Sequence, residues 1–146
     1  MKRTFWLLIV IVLLIAAGCA TVQTELNDPA AYIKRGNAYW SEGQYDQAIS
    51  DYNKALEINP RHAKAYYNRG NTYMSTGQYD QAISDFTKAL EINPRYAKAY
   101  NNRANTYKSI GQYDKAWEDV DKAQDLSYKI NPRFLKNLRE ASGRQK

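Results

Sequence analysis

Between residues 29 and 130, apolar and polar positions follow two superimposed rhythms. Over short stretches, apolar or small residues recur at spacings of three and four, the period of an amphipathic helix. Over long stretches the whole pattern returns every 34 residues. In the first stretch, Tyr32, Gly36 and Tyr39 share one face. Asp28 and Pro29 start it, with a side-chain acceptor at the N-cap and a proline at the first helical position. Gly43 ends it, because glycine takes the positive φ of a helix terminus at little steric cost. A second helix is expected to open near Asp46, with Ala48, Ile49, Tyr52, Ala55 and Leu56 as its apolar stripe. Asn59-Pro60 stops it. The pattern predicts helix, tight turn, helix, in three units at 29–62, 63–96 and 97–130. The first two units are identical at 24 of 34 positions and the last two at 18, so this is a tandem array. A unit of this size cannot bury its own apolar face. It must stack on neighbours, which gives an elongated body with a continuous groove and not a closed catalytic pocket.

The end of the array reads as a cap. Ala116, Trp117, Val120, Ala123 and Leu126 form the last stripe, and residues 127–130 are expected to add about one turn. Asn131-Pro132 then starts a final helix over 131–142. Phe134, Leu135 and Leu138 face inward, and Arg133, Lys136, Asn137, Arg139 and Glu140 face outward. A solenoid needs such a polar-backed end.

Residues Tyr32, Gly36, Tyr39, Gly43, Tyr45, Ala48, Tyr52, Ala55 and Pro60 carry a family resemblance. They stand where the tetratricopeptide repeat (TPR) has its aromatic, small and proline positions. The second unit repeats them as Tyr66, Gly70, Tyr73, Gly77, Tyr79, Ala82, Phe86, Ala89 and Pro94. The third keeps Tyr100, Tyr107, Gly111, Tyr113, Ala116 and Ala123, but has Ala104 for the close-contact glycine and Val120 for the large aromatic. Its terminal proline arrives late, as Pro132. The resemblance implies an all-α fold, an α-solenoid of three TPR units with a C-terminal capping helix. For function it supplies only a class.

The repeated residues have bland and functional readings. Gly36 and Gly70 would lie where the two helices of a unit cross, opposite Ala48 and Ala82. Most of the thirteen tyrosines fall on signature positions, which favours packing over a stacking surface for carbohydrate or nucleic acid. Arg35, Arg69 and Arg103 recur together with Asp51, Asp85 and Asp119. The favoured reading is a ladder of ion pairs that fixes helix register; the alternative is an anion-binding stripe.

Composition changes the picture at the N-terminus. Lys2 and Arg3 precede an apolar run of thirteen residues, 5–17. That is short for a spanning helix, which takes about 20, and right for the core of a secretory signal. Residues 16–19, Ala-Ala-Gly-Cys, resemble a bacterial lipobox, which implies a signal peptide over 1–18 and lipidation of Cys19. Cys19 is the only cysteine, so it has no partner for an internal disulfide, and thioether lipidation accounts for it. The alternative is an uncleaved signal anchor. Polar residues 20–27 read as a tether with a reach of at most roughly 30 Å. If the organism has two membranes, Ala20 after the cysteine resembles the default signal for the outer one, and the expected location is its periplasmic face. Without Lys2 and Arg3, 19 basic and 15 acidic residues leave a formal charge of +4. No basic cluster with interleaved stacking residues stands out from the repeats, so nucleic acid is not an expected partner.

Catalytic chemistry finds no footing in the pattern. The one histidine, His62, lies in an inter-unit loop and is expected to be a solvated turn residue. There is no second histidine or spare cysteine for a metal set, and no cofactor is expected. An enzyme is therefore not predicted. In TPR arrays the first helix of each unit lines the concave side. That implies a groove of Ile33, Asn37 and Trp40, then Lys64, Tyr67, Asn68, Asn71 and Met74, then Lys98, Asn101, Asn102, Asn105 and Lys108. Trp40, Tyr67 and Met74 would take apolar side chains, and the asparagines would bond an extended peptide backbone. An ordinary solvated face is the plain alternative. Asn37, Asn68 and Lys98 also match three of the five positions with which chaperone-adaptor TPRs clamp a terminal carboxylate. Ile33 and Asn102 stand at the other two, so that activity is not expected. The reading is a lipid-anchored adaptor for a protein or extended peptide in the bacterial cell envelope. The runner-up is a self-associating structural protein that contacts cell-wall polymer, since the helix from Pro29 has nothing stacked before it.

Overall fold

The computed structural model describes residues 28–144. Seven helices follow one another there: α1 (Pro29–Ser41), α2 (Tyr45–Ile58), α3 (Ala63–Ser75), α4 (Tyr79–Ile92), α5 (Ala97–Ser109), α6 (Tyr113–Asp125) and α7 (Pro132–Ser142). The expected signal peptide, Cys19 and tether lie outside the described residues. No helix among the described residues is long and apolar enough to cross a membrane. Helices pair as three hairpins, α1 with α2, α3 with α4 and α5 with α6. Successive hairpins stack through α2 on α3 and α4 on α5, and α7 closes the far end on α6. This is the all-α solenoid that the 34-residue period predicts.

Local chemistry sets the helix ends. Asp28 Oδ1 accepts from the Ala30 N–H at 2.9 Å, with Pro29 at the first helical position. At the other end of α1, Gly43 sits at φ 75°. Its N–H donates to Trp40 O, and Gln44 N–H donates to Tyr39 O. These two bonds satisfy terminal carbonyls in a geometry that a β-carbon would strain. The second helices begin at Tyr45, Tyr79 and Tyr113, one residue ahead of the expected aspartates. Asp46, Asp80 and Asp114 thus fall in the first turn, where negative charge suits the helix dipole.

Packing at the helix crossing depends on matched sizes. A β-carbon on Gly36 would meet the Tyr52 ring at 2.7 Å, and one on Gly70 would meet the Phe86 ring at 2.9 Å. In the third unit Val120 replaces the aromatic, and Ala104 fits opposite it with both fully buried. The departure from the family pattern is therefore compensated across the crossing. Tyr66 packs on both the first-unit cluster around Tyr52 and the cluster of Ala89, Leu90 and Ala99. Tyr100 links the latter to the cluster around Trp117 and Leu138, so the apolar core runs the length of the array.

The arginines and aspartates form the ladder. Arg35 donates twice to Asp51 at 2.6 Å, Arg69 twice to Asp85 at 2.7 Å and Arg103 twice to Asp119 at 2.8 Å. Each pair is bidentate, which fixes orientation as well as distance. Two of the arginines reach further than the sequence predicted. Arg69 also donates to Asn53 of the preceding unit, and Arg103 donates to Thr87 at 2.8 Å. The ladder therefore fixes unit against unit as well as helix against helix. Each guanidinium is paired with an aspartate, which favours the ladder over an anion-binding stripe.

One expectation fails at the cap. Residues 127–130 add no helical turn: α6 ends at Asp125, and Ser127 takes φ 61°. Ser127 N–H donates to Gln124 O at 2.7 Å and Tyr128 N–H to Ala123 O at 2.9 Å. The chain uses the same terminator as at Gly43, with a serine in the left-handed position, and then drops Ile130 into the core. Asn131 caps α7 through the Arg133 N–H at 2.8 Å. Leu138 is fully buried, with Phe134 and Leu135 half-buried beside it.

Candidate functional site

The face built by α1, α3 and α5 carries the predicted groove residues. Repeat geometry brings the asparagines of neighbouring units together. Asn37 Oδ1 accepts from Asn68 Nδ2 at 2.8 Å, and one repeat on, Asn71 Oδ1 accepts from Asn102 Nδ2 at 2.7 Å. Asn102 Nδ2 also reaches the Tyr67 hydroxyl at 3.1 Å, and Asn101 donates to Asn102 Oδ1 at 3.0 Å. Asn105 instead donates to Asn101 O within its own helix at 2.9 Å. The asparagines are thus structural; Asn37 is exposed, and Asn68, Asn71, Asn101, Asn102 and Asn105 are half-buried. They tie the units edge to edge and are held in fixed rotamers. Among the described residues, Asn37 Nδ2, Asn68 Oδ1 and Asn71 Nδ2 have no side-chain partner, so each leaves one donor or acceptor facing outward.

Two adjoining clefts open where the first and second units meet. The first, of about 390 Å³, is lined by Asn37, Trp40, Ser41, Tyr52, Lys64, Asn68 and Asn71. The second, of about 320 Å³, is lined by Ala30, Ile33, Lys34, Asn37, His62 and Lys64. Asn37 and Lys64 belong to both. Trp40 is 43% exposed and offers a large apolar wall beside the amides. The combination suits an extended segment with one apolar side chain and an acidic or polar neighbour near Lys64.

Other predicted residues stand elsewhere. Tyr67 is half-buried against Phe86 and Tyr96, with ring centroids 5.9 and 4.8 Å away, and is not an open apolar surface. Met74 is half-buried and lines neither cleft. Lys98 is exposed further along the face. Lys108 does not face the groove; its ammonium lies over the Phe134 ring of the cap at 6.0 Å. Ile33 touches the second cleft but is buried in the first-unit core, in one cluster with Ala65 of the next unit. Where a carboxylate clamp would need a lysine, this chain has a core residue.

Two contributors were missed in the sequence. Tyr52 fills the helix crossing as expected, but its hydroxyl donates to Asn37 Oδ1 at 2.8 Å and so reaches the groove. Phe86 at the same position shows that packing needs only the ring, and that difference was the available signal. Burial, with Asp51 nearby, pushes the Tyr52 hydroxyl up to about 12. It is therefore a donor throughout the neutral range. His62 is not a solvated turn residue. It is the N-cap of α3, with Nδ1 accepting from the Ala65 N–H at 3.3 Å. Among the described residues no group of three or more His, Cys, Asp or Glu is placed to hold a metal ion.

Residues 63–96 match a tetratricopeptide repeat family model, residues 36–77 a TPR repeat model, and residues 86–118 a further tetratricopeptide repeat model. No curated protein matches the chain. Among solved structures it is similar to the first TPR of Spaghetti (RPAP3) bound to the HSP90 peptide SRMEEVD. Identity there is 26% over 81% of this chain and 93% of that one, with a TM-score of 0.73. It is similar to MamA at 29% identity over 70% of this chain and 60% of that one, with a TM-score of 0.68. The Arabidopsis OM64 TPR domain matches at 27% identity over 82% and 95% of the two chains, with a TM-score of 0.68.

Proposed function

This chain belongs to the tetratricopeptide repeat family, and from that premise we propose that it is a lipid-anchored adaptor of the bacterial cell envelope. It holds an extended segment of a partner protein along α1, α3 and α5. The observation that carries the reading is the pre-set row of amides beside an open cleft with an exposed tryptophan. Asn37, Asn68 and Asn71 are oriented by inter-unit hydrogen bonds, and each keeps a free donor or acceptor. A peptide meeting them need not order them first, which lowers the entropic cost of binding. The related fold of Spaghetti bound to an HSP90 peptide supports peptide capture as the mode.

The partner segment is internal or only weakly acidic, because two cationic positions of a carboxylate clamp are absent. Ile33 is in the core and Asn102 is engaged with Asn71 and Tyr67. Anchoring is through lipid on Cys19 and keeps the array within the roughly 30 Å reach of the tether. Two or three acyl chains, each CH₂ contributing about 0.8 kcal/mol, suffice for stable attachment.

A photo-crosslinking amino acid at position 41, on the rim of the first cleft beside Trp40, tests the groove in intact cells. It is expected to capture a discrete protein that the same probe at Ser50 on α2 does not. Equal capture at both positions would move binding off this face. The peptide SRMEEVD serves as a second probe and is expected to bind at least tenfold more weakly than the captured partner's segment.

A further inference from the structure

The two ends of the array are finished differently. In the second and third units, the face of the first helix that meets the preceding unit is covered. Ala65, Thr72, Ala99 and Thr106 are all fully buried there. Arg69 and Arg103 are only 19% and 17% exposed, and each donates to the unit before it, through Asn53 and Thr87. Among the described residues, no unit packs on the same face of α1. Ala31 and Ala38 are exposed, and Arg35 is 58% exposed with Asp51 as its only carboxylate among the described residues. The nitrogen that reaches across in Arg69 and Arg103 has no acceptor in Arg35 among those residues.

Ala31, Arg35, Ala38 and Glu42 follow one another at steps of four, three and four, so the three residues of α1 form one stripe that its C-cap, Glu42, extends. A small–cation–small–anion stripe is complementary to itself when reversed. Turned about a two-fold axis near Ala38, Arg35 of one copy meets Glu42 of the other, twice. The alanines at the centre allow the helix axes to approach to about 8 Å. Glu42 then occupies the acceptor place that Asn53 and Thr87 fill for the other arginines. We infer that a second copy of this chain covers the open end, through an antiparallel, isologous pairing of α1 with α1. A partner helix of another protein would need no such match between Arg35 and Glu42. Separate from the peptide groove, this contact leaves both grooves of the dimer open.

The test uses the full-length protein in detergent micelles, with Ala38→Cys as a thiol at the axis. Disulfides form only where Cα atoms come within about 7 Å. The unsubstituted protein, whose only cysteine is Cys19, sets the background, and Ser50→Cys on the exposed side of α2 is the control. Mild oxidation is expected to give at least fivefold more disulfide-linked dimer from Ala38→Cys than from Ser50→Cys. Adding Glu42→Arg should lower that yield at least threefold with the melting midpoint unchanged, since a cation at the C-terminus of α1 suits its dipole. If that variant melts early, Glu42→Gln replaces it and should still lower the yield. Three results would overturn the pairing: equal yields from the two cysteine variants, a yield indifferent to residue 42, or an Ala38→Cys variant whose new thiol is blocked from maleimide without dimer. The last would mean that residues 20–27 or another protein covers the stripe.

Discussion

At the scale of single residues, the three helix crossings act as a set of size-matched pairs. Gly70 faces Phe86 closely enough that a β-carbon at 2.9 Å forces the ring aside, while Ala104 is accommodated by Val120. Gly70→Ala is therefore expected to destabilise the array by about 1–3 kcal/mol despite alanine's better helix propensity. Adding Phe86→Val should cost less than the two single changes summed, as thermal melts of all four proteins would reveal. Strict additivity would mean that the ring and the crossing are uncoupled. Tyr52 gives a pH prediction. Its hydroxyl is raised from 10.0 to about 12 by burial, then by Asp51. Below pH 10 both folded and unfolded chains keep the proton. From there to about pH 12 only the unfolded chain loses it, so the folded state binds more protons and stability falls as pH rises through that window. Tyr52→Phe should make the fall shallower and should remove one late-ionising phenol from an absorbance titration at about 295 nm. It should also cost about 0.5–1.5 kcal/mol at neutral pH through the lost bond to Asn37.

Between elements, the arginine ladder does two jobs, and the array's ends separate them. Arg69 bonds Asp85 in its own unit and Asn53 in the unit before, while Arg35 has only the first kind of partner among the described residues. Arg69→Ala leaves Asp85 buried without its cation and is expected to cost about 3–5 kcal/mol. Arg35→Ala should cost less: Asp51 is as buried as Asp85, but the guanidinium over it is 58% exposed, so water can take its place. Urea titrations of the two variants decide between a ladder of equal rungs and one anchored at its interior. The α6 terminus is a second place where the element differs from expectation. Ser127 holds a left-handed φ of 61° at a cost of about 1–2 kcal/mol, so Ser127→Gly should raise the melting midpoint. The sequence could not announce this terminator, since serine carries no preference for that conformation, whereas Gly43 does. For the same reason the ladder was legible within units but not between them. The period pairs Arg35 with Asp51 on paper, whereas the reach of Arg69 to Asn53 depends on how far one hairpin rotates on the next. His62 and the Tyr52 hydroxyl were overlooked because each was already explained, one as a loop residue and the other as packing.

For the whole molecule, the amides proposed to meet a peptide also hold the stack together, and this decides how function can be tested. Asn68 and Asn71 bond Asn37 and Asn102 across the two unit boundaries. Replacing both with alanine would be expected to weaken inter-unit contact, with each lost bond worth about 0.5–1.5 kcal/mol. A loss of binding in that double variant would then confound the groove with the fold. Trp40 and Lys64 make cleaner probes. Trp40 is 43% exposed at the rim of the first cleft, and Lys64 is exposed where the two clefts meet. Neither side chain takes part in the hydrogen bonds between units among the described residues. Trp40→Ala removes an apolar wall, so it should weaken partner binding tenfold or more, in line with the large share that exposed aromatic anchors contribute at interfaces. Lys64→Ala should weaken it less, and mainly at low salt, because an exposed cation acts over a screened distance of about 10 Å at 0.1 M. Both melting midpoints should stay near that of the parent. Titration of the captured partner segment against parent, Trp40→Ala, Lys64→Ala and Ser50→Ala, at two salt concentrations, separates the outcomes. Equal affinity for parent and Trp40→Ala would place the partner on another face of the solenoid. A Lys64→Ala loss that persists unchanged at high salt would mean that Lys64 makes a direct, desolvated bond to the peptide.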